Sequence, residues 1–319
     1  MLTRAVEKAQ RKVEERNFDS RKTLLEYDDV MSAQRKSVYA IRQQLLAGRY
    51  ETDELDEDGR ATGNQKKFKA KKDIKDTVKP MVTELLGMFC DPPVMPRDED
   101  EKLRPPVKKD FDGERTLTQL EQLQKEVYQY FGIKVDIKDR EDDVIGMYEE
   151  LVSSVPIALT EQRERLLDLL DSVIGAMILD LCPTNQPPED WDWQKLYEGF
   201  QEVFGIVPEG VDELGDQEAV AEFLYKLAEK EYLGREKDMG YELSLRVFRH
   251  VYLEEIDKAW VDHLTNMDHL RDGIGLRGYG QKDPKNEYKK EGYNLFVNML
   301  AAVSVQVVKK VMRVQVQRS

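Results

Sequence analysis

From Ala5 to Leu46 the chain contains neither glycine nor proline, and most of its residues are good helix formers. That run predicts one helix roughly 60 Å long. Leu24, Tyr27, Met31, Gln34, Val38, Ile41 and Leu45 alternate spacings of three and four and so share one seam, with Gln34 the polar exception. A helix longer than a small domain is wide, with a single apolar stripe, serves as a strut on which other elements lean. The same seam would also suit one half of a coiled coil, and through it a homodimer.

Length and charge narrow the function. The 319 residues allow about two domains, and 40% hydrophobic content supplies cores although 35% of residues are charged. A net charge of −14 argues against a nucleic-acid partner, because neutralising phosphates needs an excess of Lys and Arg. Cys90 and Cys182 make neither a disulfide framework nor a zinc set, which points to a reducing, cytosolic setting. No apolar run approaches the ~20 residues of a membrane span, and the first residues do not read as a signal peptide.

After Ala47-Gly48 come an acidic cluster (Glu51 to Asp58), two glycines and Lys66, Lys67, Lys69, Lys71 and Lys72. This composition reads as an exposed, mobile linker whose lysines form a solvated face. Residues 73–233 then suggest an internal duplication. In each half a helix precedes a proline-containing loop, a second helix ends at Phe-Gly-Ile (Phe131-Gly132-Ile133, Phe204-Gly205-Ile206), and a third follows. The third helix of the first copy carries Val144, Met147, Tyr148 and Leu151, and the first helix of the second ends near Cys182. Trp191 and Trp193 read as core aromatics.

Beyond Gly234 the helical period resumes from about 241 to 271 (Val247, Val251, Ile256, Trp260, Leu264, Met267, Leu270) and from about 286 to 312 (Tyr293, Phe296, Leu300, Val303, Val307). Two such helices joined by a short connection predict an antiparallel hairpin. Gly273, Gly275 and Gly278 in that connection spell G-x-G-x-x-G, but a helix precedes them where a dinucleotide site needs a strand. Gly273 instead suits a C-terminal cap with positive φ, and Pro284 suits the opening of the next helix. Six basic residues (Arg271, Arg277, Lys282, Lys285, Lys289, Lys290) against three acidic ones make the tip basic around Tyr279. Such a tip would touch anionic lipid or an extended polypeptide, or merely complement the helix dipoles. His263 and His269, six apart, do not share a helix face and read as ordinary polar positions. No nucleophile motif or catalytic constellation stands out.

Asn17-Phe18-Asp19, Arg21-Lys22-Thr23-Leu24-Leu25-Glu26-Tyr27-Asp28-Asp29-Val30 and Gln34-Arg35 closely resemble the long scaffold helix of the SecA family, ATP-driven motors of bacterial protein export. His269-Leu270-Arg271-Asp272-Gly273-Ile274, Leu276-Arg277-Gly278-Tyr279-Gly280-Gln281-Lys282-Asp283-Pro284-Lys285 and Glu287-Tyr288-Lys289 resemble that family's two-helix finger.

The resemblance covers about 1–48 and 241–315. It implies an all-α fold: a scaffold helix (1–48), the family's usual wing (166–238), and a scaffold return with the finger (239–319); the wing is far longer than the family's usual one, and the duplication would make 49–165 a linker with an extra wing unit. It also implies a cytoplasmic protein peripheral to the bacterial inner membrane. Its partners would be the motor and preprotein-binding domains of the parent chain, a SecY-type channel, secretory preproteins and the anionic membrane surface. Tyr279 matches the fingertip tyrosine that contacts the translocating chain, with Arg277, Gly278, Gly280, Gln281 and Lys282 around it. Arg271, Lys285, Lys289 and Lys290 would supply attraction to membrane or channel.

The family's ATPase and preprotein-binding domains would precede Leu2, so ATP and Mg2+ chemistry is expected there, and this stretch is expected to bind no cofactor or metal. The family's Cys-rich zinc tail would follow Ser319. The expected role is mechanical coupling; the alternative is a helical adaptor whose enlarged wing recruits a protein partner. Calorimetric titration with NAD should release no heat, and a saturating isotherm would restore the dinucleotide reading.

Overall fold

The computed structural model describes residues 2–55, 60–89, 116–135, 144–274 and 283–314. They form helices α1 (Leu2–Ala47), α2 (Lys72–Gly87), α3 (Thr116–Phe131), α4 (Val144–Leu181), α5 (Trp193–Phe204), α6 (Gln217–Met239), α7 (Tyr241–Ile274) and α8 (Pro284–Val311). The fold is all-α except for one small antiparallel sheet, β1 (Asp53–Leu55) with β2 (Ala61–Gln65), paired Asp53 to Gln65 and Leu55 to Ala61. That hairpin, whose described side chains are exposed, stands where the composition read as an exposed, mobile linker. The chain separates into two compact units, Met1–Arg42 with Tyr252–Gln306 and Gln43–Val251 with Val307–Ser319. These divisions fall inside α1, α7 and α8 rather than at 48 and 239.

In the first unit α1 is unbroken as predicted, and Gln34 and Val38 of its seam are buried with Tyr27, Met31 and Ile41 half-buried. Met267, Ile274 and Tyr288 form a core cluster joined by Tyr27, Val30, Met31, Leu270 and Leu295. Residues late in α7 meet residues early in α8, so the two helices are antiparallel. Pro284 opens α8 as expected, and the Asp283 carboxylate accepts from the Lys285 N–H at 3.0 Å, an N-cap. Gly273 does not cap α7. The helix continues through it to Ile274, and its φ is not positive, because burying Ile274 beside Met267 and Tyr288 favours one more helical residue. Tyr293, expected on the apolar stripe, is exposed; the inward positions of that turn are Gly292, Leu295 and Phe296.

The second unit is a stack of helices around α4. Ile74, Val78, Val82, Leu85 and Leu86 of α2 bury their face against Leu123, Val127 and Phe131 of α3 and Met147, Leu151, Val155 and Leu159 of α4. The helix expected at 144–151 and the one expected to end near Cys182 are a single element, α4, which runs through Pro156. A proline forfeits one helical hydrogen bond, a cost that burial along the rest of α4 outweighs; Thr160 Oγ1 donates to the Pro156 carbonyl at 2.7 Å. Likewise α6 runs through Gly234 to Met239.

The two Phe-Gly-Ile stretches share local geometry. Gly132 and Gly205 have φ of 68° and 73°, and their N–H groups donate to Tyr128 and Gln201 carbonyls at 2.9 Å, as in helices closed by a left-handed residue. At Gly132 space is needed as well: Arg249 Nη1 donates to its carbonyl at 2.5 Å and lies where a Cβ would sit. Trp191 and Trp193 pack at 5.3 Å with their indole N–H groups donating to backbone carbonyls; Trp191 is buried, the core role expected, whereas Trp193 is half-buried. Burial pushes the Cys182 thiol up to about 11, so it is an inert core residue; Cys90 lies outside the described residues.

A buried ion pair ties α4 to α6. Arg163 and Glu236 are 3% and 2% exposed and meet through two hydrogen bonds, the shorter 2.6 Å. Arg163 also donates to Asp73 at 3.1 Å and lies over the Tyr241 ring at 4.8 Å, while the Tyr232 hydroxyl donates to Glu236 at 3.1 Å. Arg163→Met should destabilise this unit by about 3–5 kcal/mol in urea unfolding, because Glu236 is left charged and buried. Adding Glu236→Leu should recover much of the loss; a single substitution costing under about 1 kcal/mol would show that the pair does not hold the unit together.

Candidate functional site at the base of the two-helix hairpin

The first unit brings the predicted scaffold seam against the predicted finger. At the centre is Gln34, whose amide Nε2 donates to the Gly292 carbonyl at 2.9 Å. This fixes which end of the amide faces His263, so the 2.9 Å contact between Gln34 Oε1 and His263 Nε2 has the imidazole donating. His263 Nε2 therefore carries a proton, as it does in both the Nε2 tautomer and the imidazolium. Its ring lies between Trp260 and Phe296, with centroids at 5.6 and 5.7 Å, and burial lowers its pKa.

One turn along, α8 packs closely on α7 and α1 at Gly292. A Cβ there would lie 2.7 Å from Met267 Cε, the mobile end of that side chain, and 3.7 Å from Val30 Cγ1, so a larger residue would have to displace the Met267 methyl. Tyr27 and Tyr288 pack edge to face with centroids 4.6 Å apart. Above them Glu26 pairs with Lys285; the lysine lowers the carboxyl's pKa and the carboxylate raises the lysine's. Towards the other end Arg42 grips Asp257 with both nitrogens, at 2.5 and 2.8 Å.

Arg277, Gly278, Tyr279, Gly280, Gln281 and Lys282 lie outside the described residues. Of the four flanking cations, Lys285 is drawn onto Glu26 and Arg271 onto Asp268 at 3.0 Å, whereas Lys289 and Lys290 are exposed on the first turns of α8. Among the described residues no cluster of His, Cys, Asp and Glu could hold a metal. One described helix, α8, is long and apolar enough by length and composition to cross a membrane, where no such run was expected from the sequence. Its face carrying Phe296, Met299, Val303 and Val307 is buried in protein.

Sequence reasoning placed Gln34 on the seam but did not foresee its partners. His263 read as an ordinary polar position and Gly292 was not singled out. The available signals were one amide in an apolar seam and one glycine in an apolar helix.

The domain model described as the SecA Wing and Scaffold domain matches residues 1–163 and 157–315. The chain therefore belongs to the SecA wing and scaffold family. Over its full length it is 57% identical to the protein translocase subunit SecA of Sorangium cellulosum, of which it covers 32%. It is 34% identical to the SecA of Myxococcus xanthus over 98% of the chain, and 32% identical to that of an Anaeromyxobacter strain over 99%. The chain thus spans from 24% to 32% of the length of these relatives.

Because burial lowers the pKa of His263 in the folded state, the unfolded chain binds its proton first. The stability of this unit should be complete above about pH 6.5 and fall as pH drops below that, through the folded value. His263→Phe should flatten that slope below about pH 6.5, measured by thermal unfolding. Gln34→Leu should cost about 1–3 kcal/mol by leaving the His263 N–H without a buried acceptor. A pH slope unchanged in His263→Phe would contradict the assignment.

Proposed function

We propose that this chain is the coupling region of a SecA-type protein translocase. Displacement of α1 by nucleotide-driven motor domains reaches the two-helix hairpin, whose tip engages a SecY-type channel and the translocating preprotein. ATP and Mg2+ act, in this reading, in the motor domains of the parent protein, and the chemistry of these residues is mechanical.

The observation that carries the reading is the clamp itself. Gln34, Tyr27, Val30 and Glu26 all face α7 or α8, so a movement of α1 along or about its axis displaces the hairpin with it. Densely packed interiors transmit displacement rather than absorbing it. At the tip, the Tyr279 ring would give sequence-tolerant contact with passing side chains, and Gly278 and Gly280 would let the loop adapt. The exposed Lys289 and Lys290 suit an anionic surface beside the channel, at the cytoplasmic face of the inner membrane.

Two substitutions in the full-length translocase separate transmission from chemistry. Tyr279→Ala should slow preprotein transport more than it lowers ATP turnover, since it removes only substrate contact. Gly292→Leu, which wedges the clamp apart at Met267, should do the same while leaving the tip intact. The comparison is of translocated preprotein per ATP hydrolysed; an unchanged ratio in both variants would refute coupling through the hairpin.

A further inference from the structure

The lysine cluster that the sequence presents as a solvated face is folded around a concavity. From Lys66 to Lys79 there are seven lysines and two aspartates, a local +5 (seven minus two) on a chain of −14. The segment after β2, the outer face of α2 and the first half of α4 enclose a cavity of about 650 Å³, within the size range of binding pockets. Its apolar part comes from Phe68, Tyr148, Val152 and Ile157. Phe68 is positioned by stacking on Tyr50, centroids 5.8 Å apart.

Lys69, Lys75 and Lys79 stand around these residues, the last two four apart and so on one face of α2. Two of their neighbours are engaged: Lys71 pairs with Glu164 at 2.5 Å, and Lys66 lies over the Phe68 ring at 5.1 Å. Lys69, Lys75 and Lys79 are exposed, and among the described residues none of them has an ion-pair partner. An apolar hollow with three unpaired ammonium groups on its wall, beside the carboxylates of Asp76 and Glu149, matches a ligand that carries a bulky apolar group with carboxylates reaching the lysines. Two further features separate a peptide from a lipid surface or a nucleic acid. The hollow is concave, where a bilayer is flat, and the chain's net charge of −14 opposes a phosphate backbone; Asp76 and Glu149 on its wall confine the ligand's carboxylates to the lysine side.

We propose that this cavity docks an acidic polypeptide segment of a partner protein, with one large apolar side chain in the hollow and neighbouring Asp or Glu residues on Lys69, Lys75 and Lys79. The inference uses the second unit alone and stands apart from the hairpin.

The test is fluorescence anisotropy with the 319-residue chain and a fluorescein-labelled octapeptide, DEDWLDED. Saturable binding is expected, weakening as salt rises from about 0.05 to about 0.5 M. Lys75→Glu with Lys79→Glu, both exposed sites, should raise Kd roughly tenfold or more, while Lys8→Glu with Lys12→Glu on α1 should change it less than about twofold. A peptide with GG in place of WL should bind roughly tenfold more weakly. Circular dichroism checks that the variants remain folded. The proposal is overturned by no saturation up to about 1 mM peptide, by equal loss in both lysine pairs, or by equal affinity for the GG peptide. It is also overturned if vesicles with about 30% phosphatidylserine bind through Lys75 and Lys79 while the peptide does not.

Discussion

The amide of Gln34 donates to the Gly292 carbonyl and accepts from His263, and because one partner lies on α8 and the other on α7, the seating of both helices follows from that side chain. Its hydrogen bonds set depth and rotation, and the glycine supplies the clearance they require. The aromatic contact of Tyr27 with Tyr288 and the ion pair of Glu26 with Lys285 extend the same register towards the hairpin tip. The apolar seam alone would allow the helices to slide by a turn. A buried amide with two specific partners does not, which is the well-attested use of a single polar residue in an apolar seam.

The second unit uses a different device. Its helices bury ordinary aliphatic faces, but the relative placement of α2, α4, α6 and the start of α7 is specified by Arg163, which touches Asp73, Glu236 and Tyr241 at once. Such a pair contributes less to net stability than its hydrogen bonds suggest, since both charges lose their hydration. What it adds is directional: an arrangement that misaligned α6 would strand a carboxylate in the core. The basic cavity opens on the same unit, so one core both fixes these helices and presents the three lysines.

Much of this was legible in the residues. The absence of Gly and Pro over 5–46 yields one helix because nothing in that stretch disfavours the next helical hydrogen bond, and the three-four spacing of the seam names the face that is buried. The hairpin followed from two apolar periods and from Pro284 at the opening of the second helix. The family likeness in 17–35 and 269–289 agrees with the SecA wing and scaffold match.

Other features were not legible, for physical reasons. Gly273 carries the usual mark of a cap, yet burial of Ile274 outweighs that local preference. The stretch at 144–151 and the one ending near Cys182 read as separate helices, but the apolar residues on both sides of Pro156 share one core and α4 continues. Arg163 with Glu236, and Gln34 with His263, are separated by 73 and 229 residues, and long-range polar pairing leaves no local pattern. The small sheet at 53–65 rests on backbone pairing between strands whose described side chains are exposed, so no apolar alternation announces it.

The central claim is that α1 and the base of the hairpin move as one body. Native-state hydrogen exchange tests it most directly, followed at the amides of 27–38 and 288–299 in wild type and in Gln34→Leu. The account predicts that both segments open with a common free energy and lose the same amount of protection in the variant. Protection lost in α1 alone, with 288–299 unchanged, would show that the hairpin is held by something other than the scaffold helix.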